Sequence, residues 1–184
     1  DVDKKKLYPL LIIGLMGGAA GAELLLHTSE VTFKALVPWL MLLATMVFTF
    51  GRHLTSALHR LRLNMDEGAP ALMAMTTISV YGGYFGAGIG ILTLAMLQLM
   101  GHEYIHRMNA MKTMLTGAVN AITALIFIFS GKVIWHLAIA MVAGGVLGGY
   151  IGARGALKIP PQQVRWLVSL IGFTMTAYFF LKYP

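Results

Sequence analysis

Residues 101–106 read GHEYIH, and within them His102-Glu103-Tyr104-Ile105-His106 has the H-E-x-x-H spacing of zinc metalloproteases. On a helix the two histidines would share one face a turn apart, and Glu103 would act as general base on a zinc-bound water. A catalytic zinc needs a third protein ligand. The other histidines, His27, His53, His59 and His136, are scattered, and no H-E-x-x-H-x-x-G-x-x-H extension follows. A short interfacial linker is the competing explanation of the motif.

Two other groupings could do chemistry. Tyr81 to Gly90 is half glycine: Gly82, Gly83, Gly86, Gly88 and Gly90, with Tyr84 among them. A helix broken here and restarted would aim bare N–H groups and a positive dipole end into its surroundings, a natural seat for an anion. The alternative is close helix packing. No G-K-[ST] ending follows, so this is not a phosphate loop. The second grouping is Asn109, Thr113, Thr116, Asn120 and Thr123, which recur at three- and four-residue steps and share one helical face. Lys112 borders that face. In hydrocarbon such a stripe turns toward protein or water, as ligand contact or as hydrogen-bonded glue between helices.

The elements that would position these groups are membrane spans. The 184 residues are 58% hydrophobic and 11% charged, against about 25% charged in a soluble domain. Apolar runs at Leu7–Leu26, Phe33–Phe50, Met111–Ser130, Ile134–Ala153 and Val164–Leu181 each suffice to cross a bilayer as helix. Ala69–Met100 is too long for one crossing and too short for two. Glu23 lies toward the end of the first run and is read as snorkelling to the interface. Arg52–Met65 mixes Arg and His with Leu and reads as an interfacial amphipathic helix. The net charge of +7 belongs to loops facing lipid headgroups rather than to a nucleic-acid surface. Without cysteine there is no disulfide and no thiolate metal site. No motif calls for a cofactor.

The chain repeats itself at an offset of 131 residues. Gly14, Gly17, Gly18, Gly21 and Ala22 fall on Gly145, Gly148, Gly149, Gly152 and Ala153; Leu26, Leu36, Val37, Thr45 and Phe48 fall on Leu157, Leu167, Val168, Thr176 and Phe179. Residues 7–50 then form the end of a first repeat and 69–184 a second. A complete repeat predicts roughly 60 to 70 further residues ahead of Asp1.

Basic residues set the expected topology. If Ala69–Met100 enters the membrane and returns to the side it left, eleven of the 14 Lys and Arg lie on one side, leaving Lys34, Lys132 and Lys182 on the other. A single crossing would divide them eight to six. The positive-inside rule favours the first arrangement. Leu7–Leu26 and its counterpart Ile134–Ala153 then run in opposite directions, the inverted repeat with a broken helix that recurs in secondary transporters. The expected fold class is an all-α polytopic transmembrane bundle with inverted repeats and a re-entrant glycine-rich helix.

The run GGYFGAGIG at Gly82–Gly90, then Arg107-Met108-Asn109-Ala110-Met111-Lys112, Asn120, Gly131-Lys132-Val133-Ile134-Trp135 and the Gly144–Gly152 cluster resemble the second half of TauE/SafE-type transporters. Phe33–Leu40, Ala44-Thr45 and Phe48 resemble the end of that family's first half. The resemblance implies a multi-pass inner-membrane carrier, not an enzyme, that exports a small anion such as sulfite or an organosulfonate like sulfoacetate by alternating access. Its expected partners are that anion and the lipid bilayer, with a homo-oligomer left open. The substrate site would draw on Gly82, Gly83, Tyr84, Gly86, Gly88, Gly90, Asn109, Lys112, Thr113 and Asn120. The alternatives are a membrane zinc protease using His102, Glu103 and His106, and a non-transporting accessory subunit.

Overall fold

A computed structural model describes residues 4–60, 68–100, 105–156 and 160–182. These residues form helices and no strand: α1 (Lys4–His27), α2 (Glu30–Arg60), α3 (Ala69–Tyr84), α4 (Ile89–Leu99), α5 (Ile105–Phe129), α6 (Trp135–Ala156) and α7 (Pro161–Lys182). Five of them, α1, α2, α5, α6 and α7, are long and apolar enough to cross a membrane. Their exposed faces carry large apolar side chains such as Trp39, Phe129, Ile139 and Leu181, as suits contact with lipid. The chain is a multi-pass membrane protein.

Prolines open two of the helices without cost, because the first-turn N–H groups have no helical acceptor: Pro70 at the start of α3 and Pro161 at the start of α7. One sequence expectation changes. Residues 52–60 are not a separate interfacial helix; they continue α2, which is 31 residues long, or about 46 Å at 1.5 Å per residue. Gly51 alone does not break it, since a single glycine in a helix interior costs only about 1 kcal/mol. The part of that segment beyond Arg60 includes residues 61–65, which lie outside the described residues.

Helices α1, α3 and α5 run parallel. Gly14, Gly17 and Gly21 of α1 meet Met75, Ser79 and Val80 of α3 in ascending order. On the side toward α5, Gly14 and Gly18 meet Val119 and Ile122, and the Thr123 hydroxyl donates to the Gly18 carbonyl at 3.5 Å. Helix α4 links the end of α3 to the start of α5, so it runs the other way. Met100, just past its end, joins Leu7, Leu10, Ala71 and Met108, from the first turns of α1, α3 and α5, in one apolar core. The α3–α4 segment therefore enters and returns to the side it left. At 16 and 11 residues its arms are about 24 and 16 Å long, each shorter than the roughly 30 Å needed to cross a bilayer.

Helices α2 and α7 pack antiparallel. The Thr49 hydroxyl donates to Ser169 Oγ at 2.8 Å, Thr45 packs on Gly172, and the Trp39 ring meets Phe180 edge-on at 5.1 Å. In this register Leu43 and Ala44 come opposite Thr174 and Met175, their own counterparts at the 131-residue offset. The contact maps onto itself when the two copies are exchanged. That is a local two-fold axis across the helices, the relation an inverted repeat requires.

Candidate functional site

The ten residues from Tyr81 to Gly90 divide into two groups with different physical roles. Gly82 and Gly83 are inside α3 and buried. A Cβ on Gly83 would overlap the Gly18 carbonyl of α1 and lie 2.9 Å from Gly18 Cα. One on Gly82 would strike the Ile89 side chain and lie 3.3 Å from Val119 Cγ1. These two glycines let three helices and the start of α4 close on one another. Tyr84 is also buried; its hydroxyl donates to Thr28 Oγ1 at 3.4 Å and its ring leans on Phe33, so it anchors the end of α3 to the α1–α2 turn.

Gly86 and Gly88 make the bend. Both have φ of +79°, a conformation that costs an L side chain about 1–2 kcal/mol. Phe85 and Gly86 both donate to the Tyr81 carbonyl, which ends α3. Ladder bonding resumes only with Ile91 and Leu92, both donating to Gly88 O. The N–H groups of the first turn of α4, Ile89 and Gly90, therefore point into the bend without a helical acceptor. The Tyr81 hydroxyl spans the bend and donates to Ala87 O at 2.8 Å. Sequence reasoning missed this bracing role; the only signal was an aromatic hydroxyl flanking the glycine run.

The bend sits at the local two-fold axis. A Cβ on Gly88 would lie 3.8 Å from Cα of Ala44, one of the residues at the centre of the α2–α7 contact. On its other side, Gly90 faces the stem of Lys112, with Lys112 Cδ 3.8 Å from the Cβ position. The Lys112 ammonium donates to Asn109 Oδ1 at 3.3 Å. The start of α4, Lys112 and Asn109 are thus one local unit, with two sources of positive potential.

The polar stripe of α5 flanks this unit. The buried face of α5 is apolar, formed by Met108, Met111, Leu115 and Val119. Asn109, Thr113 and Asn120 are exposed, and Thr116 and Thr123 are half-buried. Thr113 donates to Asn109 O and Thr116 to Lys112 O, both at 2.8 Å, so these hydroxyls spend their protons on the helix backbone. Asn109 accepts from Lys112 through its oxygen, which leaves its amide group as a donor. Asn120 follows Val119, which touches Gly82.

The metalloprotease motif is only partly visible. His102 and Glu103 lie outside the described residues; His106 is exposed in the first turn of α5. Among the described residues no three His, Asp or Glu side chains gather as a metal site.

Three of the basic residues, those expected on the less basic side, can be placed in the bundle. Lys34 pairs with Glu30 at the start of α2 (3.2 Å), Lys132 donates to Leu26 O at the end of α1 (3.1 Å), and Lys182 ends α7. These three share the end of the bundle opposite the first turns of α1, α3 and α5. Lys132 also neutralises the negative end of the α1 dipole.

Comparison with known proteins agrees with this architecture. The family model described as "Sulfite exporter TauE/SafE" matches residues 1–179. The chain belongs to the TauE/SafE family. It is 27% identical over 177 residues to a "Probable membrane transporter protein" of Haemophilus influenzae, covering 96% of this chain and 68% of that one. It is 27% identical over 164 residues to the "Probable membrane transporter protein YfcA" of Escherichia coli K12, covering 88% and 60%. A "Probable membrane transporter protein ORF9" of Sinorhizobium shares 22% over 178 residues, 95% and 66% of the two chains. The chain thus spans between 60% and 68% of the length of these relatives. No solved structure matches it.

Proposed function

We propose that this TauE/SafE-family chain is the major part of a permease of the cell inner membrane that exports a small sulfur oxyanion, sulfite or an organosulfonate such as sulfoacetate, by alternating access. One observation carries the proposal: the start of α4, whose first-turn N–H groups have no helical acceptor, lies at a glycine bend between two short apolar arms, against Lys112. The N–H groups of Ile89 and Gly90 and the positive end of α4 offer donors to an anion. Lys112 adds charge, and Asn109 and Asn120 add amide donors. Sulfite and sulfonate share a compact group of three oxygens, which such a cluster of donors suits. Rocking of one repeat against the other about the α2–α7 contact would expose the bend to each side in turn.

An inside-negative potential drives an anion outward by about 2.3 kcal/mol per charge per 100 mV, so export needs no nucleotide. Family membership and the relatives' names favour a carrier over the zinc protease. The orientation, with the start of α5 cytoplasmic, is read by single-cysteine labelling in this cysteine-free background. Arg107→Cys is expected to react from the cytoplasm and Lys132→Cys from outside; labelling from the same side would remove the re-entrant topology.

The functional test is sulfite and sulfoacetate flux in proteoliposomes of the full-length protein. Asn120→Leu keeps the size of the side chain and removes its donors. Loss of a hydrogen bond to a charged ligand costs about 1.5–3 kcal/mol, or roughly ten- to hundredfold in affinity. Lys112→Gln is expected to weaken transport most at low ionic strength, because its half-buried ammonium is still reached by solvent and salt. Flux no faster than in empty liposomes for both anions would reject the substrate class. Normal flux in a well-folded Asn120→Leu would remove the α5 stripe from the site.

A further inference from the structure

Exchange of the two copies maps the α2–α7 contact onto itself in position but not in chemistry. Toward the start of α7 the side chains are small and hydroxylated. The Thr49 hydroxyl donates to Ser169 Oγ at 2.8 Å, and a Cβ on Gly172 would lie 2.7 Å from Thr45 Oγ1 and 3.3 Å from Thr45 Cβ. The 131-residue offset carries Thr45 and Thr49 onto Thr176 and Phe180, and carries Gly172 and Ser169 back onto Met41 and Pro38. At the Lys182 end, therefore, Met41 stands in place of the glycine, and Pro38 and Phe180 in place of the hydrogen-bonded pair. Pro38 is fully buried there, and the Trp39 ring meets Phe180 edge-on at 5.1 Å.

This difference decides how the contact can move. A symmetric rocking motion would pinch the two helices together at each end in turn. The close approach at Gly172 uses the space of a missing Cβ, and the equivalent approach of Thr176 would have to displace the Met41 side chain. The Lys182 end thus has no pinched form, and its rings keep the helices apart. The opposite end can part. Its two hydroxyls can turn to carbonyls of their own helices or to water, so opening leaves no polar group unpaired. Among the described residues α7 packs chiefly on α2, so this contact governs its tilt.

We infer that the α2–α7 contact is a one-ended hinge, with Trp39 and Phe180 as its pivot and Thr49 with Ser169 as a releasable tie. Gly88 of the bend faces Ala44, the neighbour of Thr45, so opening at the tie uncovers the start of α4 from the side shared with the start of α5. The inference rests on the alternating-access reading and assigns this contact to one of its two gates.

Pulsed electron resonance distances in the full-length protein in liposomes test it. Nitroxides are placed on cysteine pairs at exposed positions, with no other cysteine left in the chain. Phe50 with Gln163 reads the tie end, and Val31 with Leu181 reads the pivot end. Two distances are expected at the tie end and one narrow distance at the pivot end. Thr49→Val keeps the shape of threonine without its hydroxyl; it is expected to shift the tie end toward the longer distance and leave the pivot end unchanged. One narrow distance at both ends, an equal spread at both, or a wild-type distribution in Thr49→Val overturns the inference. The second measurement is flux. Thr49→Cys with Ser169→Cys, oxidised to a disulfide, is expected to stop sulfite flux in proteoliposomes, and a reductant to restore it. Undiminished flux in the linked protein also overturns the hinge. If the cysteine-free protein itself carries no sulfite, the proposed substrate fails, and the nitroxide distances still decide the hinge.

Discussion

Gly83 and Gly88 are five residues apart in one glycine-rich run, and they are glycine for unrelated reasons. Gly83 has ordinary helical geometry and no space: the α1 backbone at Gly18 lies where its side chain would be. Gly88 has space, with Ala44 in ordinary contact range, but its φ of +79° excludes most side chains. One glycine sets a distance between helices, and the other sets a chain reversal. A cluster of glycines is therefore not one functional object, and only its second half shapes the proposed anion seat.

Substitution should separate these roles. The largest effect is expected at Gly83→Val, which must push α1 from α3; overpacking costs about 1–3 kcal/mol even where neighbours can yield, and here the neighbour is backbone. Loss of monodisperse protein on size exclusion is the expected result. A Gly83→Val protein with the wild-type Tm would show that the α1–α3 contact is not as tight as described.

At Gly88 a smaller effect of a different kind is expected. Gly88→Val places a β-branched residue at positive φ, whereas Gly88→Asn uses a residue that tolerates the left-handed region. Valine should lower the Tm by a few degrees and abolish flux, and asparagine should recover most of the stability. Equal losses of stability in the two variants would mean that space, not backbone conformation, limits this position, and the contrast with Gly83 would collapse.

The smallest effect is expected at Ser79, beside Gly17 on the packed face. Its hydroxyl is buried and has no hydrogen-bond partner among the described residues. Ser79→Ala removes an unsatisfied polar atom and should be neutral or stabilising by up to about 1 kcal/mol. A clear fall in Tm would show that the hydroxyl has a partner and that this face does more than pack.

Much of the architecture was legible in the sequence. The spans, the break at Gly82–Gly90, the charge asymmetry and the 131-residue repeat depend on local composition, on backbone conformations open mainly to glycine, and on self-comparison. They can be read without knowing what touches what. The helix boundaries agree: α2 begins at Glu30 and α7 at Pro161, one offset apart. Three matters needed the packed chain, because each depends on a partner far away in sequence. Gly82 and Gly83 became packing residues only once Gly18 and Val119 were placed against them. The α5 stripe is hydrophilic by sequence, but that Asn109, Thr113 and Asn120 are exposed while Thr116 and Thr123 are half-buried follows from burial of the adjacent, methionine-rich face against the shared apolar core. The level of the bend relative to the two-fold axis follows from Thr45, Thr49 and Trp39 meeting Gly172, Ser169 and Phe180, a register that periodicity along one helix cannot supply, because every turn of an apolar helix offers nearly the same surface.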